Sequence, residues 1–176
     1  MSNATTVLLC GVGGQGTILA ADLLARTALA SNYDVKVSEI HGMSQRGGAV
    51  TTVVRFGAAP VATMVADHGC VDCVVSFETT EALRNLPFVR EGGYLLVADE
   101  DIKPLPVLTG KAGMPENARE KLQAAGASLI PAGPIAEQVA TSKSVNVVLL
   151  GALATRLDFS EEVWKEVISK RVPPKT

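Results

Sequence analysis

Gly11-Val12-Gly13-Gly14-Gln15-Gly16 stands between the apolar run Thr5 to Cys10 and the amphipathic segment Thr17 to Ala30. A G-x-G-x-x-G between a predicted strand and a predicted helix is the context of a phosphate-binding turn. On this reading Gly11 lets the chain turn sharply, Gly13 lets backbone approach a ligand, and Gly16 lets helix pack on strand. The first free N–H groups of the helix and its dipole favour an anion there. Ile18, Ala21, Leu24, Ala25 and Ala28 recur at helical spacing, which predicts one buried face, and Asn32 reads as the helix stop.

Beyond the helix, Val35 to Ile40 reads as a second strand, completing a right-handed βαβ unit. In a dinucleotide-binding domain such a strand ends in an acid for the ribose hydroxyls, roughly 20 residues past the turn, and Glu39 is the candidate. The polar, glycine-rich loop His41-Gly42-Met43-Ser44-Gln45-Arg46-Gly47-Gly48 fits that reading less well. It offers an imidazole, a hydroxyl, an amide and a guanidinium at a strand's carboxyl end, where α/β proteins bind ligands. Ala49 to Phe56 then alternates as a strand ending at Gly57.

The whole chain supports an α/β layout. Its 176 residues suit one domain, and 47% apolar with only 4% aromatic residues suits a sheet buried on both faces. The fold expected is α/β, a three-layer Rossmann-like domain with a mostly parallel sheet. A net charge of −2 with scattered basic residues argues against nucleic acid or a membrane surface as partner. No apolar run reaches the roughly 18 residues that span a bilayer. The polar start Met1-Ser2-Asn3-Ala4 does not read as a signal peptide, so the expected location is cytoplasmic.

Further elements alternate. Strands are expected at Val71 to Phe77, Gly93 to Ala98 and Ser128 to Pro131, with a short one at Val107-Leu108 inside the irregular stretch Lys103 to Pro115. Helices are expected at Thr80 to Leu86, Glu116 to Ala125 (with Pro115 in its first turn), Pro134 to Ala140 and Asn146 to Leu157. A last helix capped by Ser160 buries Trp164 and Val167. Glu78 and Glu81 read as solvated first-turn acids. Cys70 and Cys73 form a C-x-x-C, open to a redox or metal reading. With no second ligand pair, Cys73 reads more simply as a small hydrophobe entering its strand.

Taken together, G-V-G-G-Q-G at 11–16, S-E-I-H-G-M-S-Q-R-G-G at 38–48 and V-V-R-F-G at 53–57 resemble the gamma module of the 2-oxoacid:ferredoxin oxidoreductases. The indolepyruvate branch, with E-x-H-G-M-x-Q-R-G-G, has the same form. F-E-T-T-E-A-L at 77–83 and N-V-V-L-L-G-A-L at 146–153 agree with it as well. The resemblance implies one gamma-type domain over residues 5–176. It also implies a further helical segment after Pro173-Pro174-Lys175, where this sequence stops.

The resemblance implies a small subunit supporting CoA-dependent oxidative decarboxylation of aryl-pyruvates. Three cysteines cannot hold iron–sulfur clusters in sets of four, and the G-D-G…N segment that holds thiamine diphosphate and magnesium is missing. Thiamine diphosphate, Mg2+ and 4Fe-4S clusters are therefore expected on a larger alpha subunit. Coenzyme A is the co-substrate, ferredoxin the electron acceptor, and no cofactor is bound by this chain alone. His41 and Arg46 are the catalytic candidates. Gly11, Gly13, Gly14, Gln15, Gly16, Glu39, Ser44, Gly47 and Gly48 are the cofactor- or substrate-binding candidates, and no metal ligand is expected. Arg46 binds a carboxylate or phosphate through its fork, or ties its loop to Glu39 or to helix carbonyls. His41 hydrogen-bonds the oxoacid or transfers a proton, or caps a strand end. Gly42, Gly47 and Gly48 shape the loop at positive φ, and Met43 packs against the partner. The alternatives are a gamma subunit of the pyruvate or branched-chain enzymes, a stand-alone NAD(P)- or FAD-binding Rossmann enzyme, and a non-enzymatic nucleotide-binding module.

Overall fold

A computed structural model describes residues 4–41 and 48–172. Its centre is a six-stranded sheet in the order β2-β3-β1-β4-β5-β6. The strands are β1 (Thr5–Val12), β2 (Asp34–His41), β3 (Ala49–Gly57), β4 (Val71–Ser76), β5 (Val89–Ala98) and β6 (Ser128–Ile130). β1, β4, β5 and β6 pair in parallel, whereas β3 is antiparallel to both β1 and β2.

Strand β1 is buried on both faces almost throughout, the position for which a continuous apolar run is suited. Val7 and Leu9 point into one core, Leu8 and Cys10 into the other. The first core is covered by α1 (Thr17–Ala30), α5 (Ala132–Val139), α6 (Val145–Ala154) and α7 (Glu161–Arg171). The second is covered by α2 (Thr79–Asn85) and α4 (Ala118–Ala124), through Ala82 and Leu122. The expected three layers are present.

The βαβ unit has an added strand. β3 inserts between β1 and β2, so the crossover through α1 carries the chain two positions along the sheet instead of one. Alternation identifies a strand and its faces but not its lateral neighbour. Helix α1 keeps its expected span, yet Ile18 is 48% exposed. The buried stripe centres on Ala20, Leu24 and Ala28, and Ile18 falls off its edge. Asn32 adopts φ 62°. The Tyr33 N–H reaches the Ala28 carbonyl at 3.0 Å and the Asn32 N–H reaches Leu29 at 3.0 Å, a Schellman stop.

Two further expectations change. Val107 and Leu108 belong to a single helical turn, α3 (Leu105–Leu108), because both N–H groups donate to the Pro104 carbonyl. The helix expected from Glu116 begins at Ala118, since Asn117 takes a left-handed conformation at φ 53° and ends any helical path before it. At the other end, Ser160 Oγ accepts the Val163 N–H as a cap and Trp164 is buried. Arg171 of α7 donates to Asp22 of α1 at 2.6 Å, tying the two helices.

Candidate functional site

Where β1, β4 and β5 reach their carboxyl ends, hydrogen bonds join the loops into one crown. The Phe77 N–H donates to the Cys10 carbonyl at 2.8 Å, and the Thr79 N–H to the Glu100 carbonyl at 3.0 Å. The Gly13 N–H donates to the Gly48 carbonyl at 2.9 Å. That bond sets the end of the 41–48 loop against the glycine turn, as expected from their places at the ends of β1 and β2.

The six turn residues have different tasks. Gly11 is still in β1, not in the turn, and the close approach of other chain segments is what makes it glycine. A Cβ there would lie 2.7 Å from Gln15 Oε1, 2.9 Å from Phe77 Cβ and 3.2 Å from Thr17 Cγ2. Gly14, at φ 104°, is exposed with open space around it. Gln15 is committed to backbone: its Oε1 accepts from Val12 N at 2.7 Å and its Nε2 donates to the Phe77 carbonyl at 2.8 Å. Gly16, at φ 83°, begins α1 with no side-chain cap. A Cβ on Gly16 would meet Asn146 Nδ2 of α6 at 2.7 Å, so the approach that Gly16 permits is that of α6.

Glu39 is exposed on edge strand β2, paired with Thr52 of β3, which pairs in turn with Leu9 of β1. Two strand spacings, about 10 Å, thus separate it from β1. His41 closes β2 opposite Val50. The His41 side chain, and Gly42, Met43, Ser44, Arg46 and Gly47 altogether, lie outside the described residues.

The crevice beside the turn, about 540 Å3, is lined by Gly14, Gln15 and Gly16, by Glu100 after β5, by Glu137 of α5, and by Lys143 and Asn146. Glu100 lies against Gly133, where a side chain would collide with its Oε1. Two carboxylates beside a glycine turn oppose the pyrophosphate of a dinucleotide. Asn146 and Glu100 are residues that sequence reasoning did not assign to the site. Their signals were present: one amide in an otherwise apolar helix, and an acidic turn at a strand's carboxyl end.

On the other side of Glu100, Arg119 of α4 donates to Asp99 at 2.5 Å and Asp101 at 2.6 Å. The Thr79 hydroxyl, then Arg119, holds the Asp101 carboxyl below the usual carboxylate range. This clasp joins α2, α4 and the end of β5.

The cysteines do not form a ligand set. Cys10 and Cys73 are buried, and burial foremost pushes both thiols up to about 12, while Cys70 is exposed. Among the described residues no group of three His, Cys, Asp or Glu is placed to hold a metal. Among the described residues no helix is long and apolar enough to cross a membrane.

Fold and crown together define a three-layer, Rossmann-like α/β domain whose glycine turn faces a mixed-charge crevice. The chain belongs to the pyruvate ferredoxin/flavodoxin oxidoreductase family, whose profile matches residues 6–176. It is 40% identical to the indolepyruvate oxidoreductase subunit IorB of Thermococcus kodakarensis, over 97% of this chain and 87% of that protein. Among solved structures it resembles the pyruvate oxidoreductase subunit PORC of Thermotoga maritima, at TM-score 0.70 and 24% identity, covering 97% of this chain and 86% of that one. It also resembles the 2-oxoglutarate:ferredoxin oxidoreductase of Magnetococcus marinus, solved with 2-oxoglutarate, coenzyme A and succinyl-CoA, at TM-score 0.72 and 20% identity. There it covers 97% of this chain but spans only 27% of the other. At these identities the solved structures establish the fold.

Proposed function

We propose that this chain is the small subunit of an indolepyruvate, or more broadly aryl-pyruvate, ferredoxin oxidoreductase, and works as one gamma-type unit over residues 5–176. The similarity to IorB along nearly the whole chain carries this reading. A larger alpha subunit holds thiamine diphosphate, Mg2+ and 4Fe-4S clusters, which supply decarboxylation and electron transfer to ferredoxin, with coenzyme A as co-substrate. This chain's part is to present its crown to that subunit's site. Arg46 pairs with the substrate carboxylate or a cofactor phosphate, and His41 hydrogen-bonds the oxoacid or moves a proton. Ser44 is a polar positioner beside them, and Gly47 and Gly48 shape the loop. Gln15 supports the turn from within through its two backbone bonds. The protein works in the cytoplasm.

The stand-alone dinucleotide reading has less support. Glu39 sits two strands from β1, and Glu100 and Glu137 line the crevice where phosphates would lie.

Coexpression with the larger subunit tests the proposal. The complex is expected to reduce ferredoxin with indolepyruvate and coenzyme A, and neither chain is expected to do so alone. Turnover by the larger subunit alone at the rate of the complex would overturn it. Arg46→Ala in the complex is expected to lower kcat/KM by roughly 10- to 100-fold, the loss of a charge-assisted pair. An unchanged kcat/KM would remove Arg46 from the site.

A further inference from the structure

The crevice beside the glycine turn combines donors and acceptors that have no partner within the chain. Asn146 is 5% exposed, and its Oδ1 accepts the Val147 N–H at 2.9 Å, which fixes Nδ2 as the amide's free end. Nδ2 lies against Gly16 on the crevice side and has no acceptor among the described residues. Beside it stands the uncapped N-terminus of the 14-residue α1, whose first N–H groups carry the positive end of the helix dipole. Lys143 also lines the crevice. These donors suit a carboxylate.

The acids of the same lining suit a cation. Glu100 is half-buried and held against Gly133, and Glu137 of α5 also lines the crevice. No donor among the described residues reaches either carboxylate. A phosphate group or a second carboxylate would meet both acids. A simple amine would leave the Asn146 amide and the helix N-terminus to water alone. A ligand that carries both a carboxylate and an ammonium, as an α-amino acid does, answers both sets of groups. The remaining wall, Ile102 and Val145, is apolar, and the volume of about 540 Å3 admits a large side chain.

We propose that this crevice is a binding site for a free α-amino acid, with its carboxylate on Asn146 Nδ2 and the N-terminus of α1 and its ammonium between Glu100 and Glu137. The site is built from this chain's residues alone, and it shares the glycine turn with the crown that faces the larger subunit in the reading above. It also connects to that reading chemically: transamination interconverts α-amino acids and 2-oxoacids. A subunit that binds the amino acid senses the supply of the substrate it helps to oxidise.

Isothermal titration calorimetry on the 176-residue chain tests this, with L-phenylalanine, L-tryptophan and L-leucine at millimolar concentration. The controls are phenylpyruvate, which lacks the ammonium, and phenethylamine, which lacks the carboxylate. Saturable heat is expected with at least one amino acid and with neither control. Glu100→Gln and Glu137→Gln are each expected to weaken binding about tenfold or more. Glu137 is exposed, so its variant retains the fold even where Glu100→Gln does not. Absence of saturable binding by all three amino acids would overturn the proposal. So would binding of either control as tight as that of the amino acid, or affinity unchanged in Glu137→Gln. Each result is read without ferredoxin reduction, so the catalytic proposal stands or falls separately.

Discussion

Gly11→Ala is expected to destabilise the chain by about 3 kcal/mol, more than Gly14→Ala. Gly11 has an ordinary strand conformation, so the cost is one of space. The new Cβ would meet Phe77 Cβ at 2.9 Å and Gln15 Oε1 at 2.7 Å. Phe77 is fully buried at the end of β4 and cannot retreat. Gln15 can move only by breaking its bonds to Val12 N and to the Phe77 carbonyl. Overpacking costs about 1–3 kcal/mol and each lost hydrogen bond about 1 kcal/mol. The thermal midpoint should fall by roughly 10 °C. Gly14→Ala is the contrast: its φ of 104° strains any side chain, but nothing lies within 4 Å, so about 1–2 kcal/mol is expected. Denaturant titration separates the two. A Gly11→Ala midpoint no lower than that of Gly14→Ala would show that β1 and β4 do not close on Gly11 as described.

The same residue shows how far the sequence can be read. The motif located the turn correctly, because strand, glycines and helix are consecutive in the chain and report on each other locally. Gly11's task depends on Phe77, which arrives from another strand, and no local pattern contains that contact. The insertion of β3 escaped for the same reason. Val50 to Phe56 alternates whichever strand lies beside it, and only the complete sheet makes Leu9 and Thr52 partners. Asn146 was visible as a family motif, but its closeness to Gly16 joins α6 to α1 across the whole chain. Cys73 was read correctly as a small hydrophobe because an apolar β-run carries its own evidence of burial. What the sequence displayed were the elements and their faces; what it withheld were lateral neighbours and the groups that meet at their ends.

Glu78 and Glu81 show this most sharply, and their substitutions are expected to have opposite signs. Both were expected to be solvated acids, yet Glu78 is fully buried and Glu81 is 5% exposed, beneath the packing of α2 on β1 and β4. Glu78 is the N-cap of α2. Its carboxylate accepts the Thr80 N–H at 3.0 Å and the Glu81 N–H, two groups that the helix cannot satisfy itself. Glu78→Ala removes the cap, leaves those N–H groups without a partner in a buried setting, and opens a cavity. A loss of about 3 kcal/mol is expected. Glu78→Gln keeps an acceptor and should lose less. Glu81 gains less from its place: one oxygen pairs with the exposed Arg84 at 3.2 Å, and the other, Oε2, is buried without a hydrogen bond. Burial, reinforced by Glu78 and only partly offset by Arg84, raises the Glu81 carboxyl above its ordinary value. The folded chain therefore binds this proton more tightly than the unfolded chain does. The stabilisation is fully present below the unfolded pKa and is lost as pH rises through the folded one. Glu81→Gln, neutral at every pH, should be more stable than the parent at neutral pH, and the difference should close on acidification toward the ordinary carboxylate range. Thermal midpoints across that range decide it. A constant offset would mean that the charge on Glu81 carries no penalty, and a less stable Glu81→Gln at neutral pH would mean that the Arg84 pair outweighs burial.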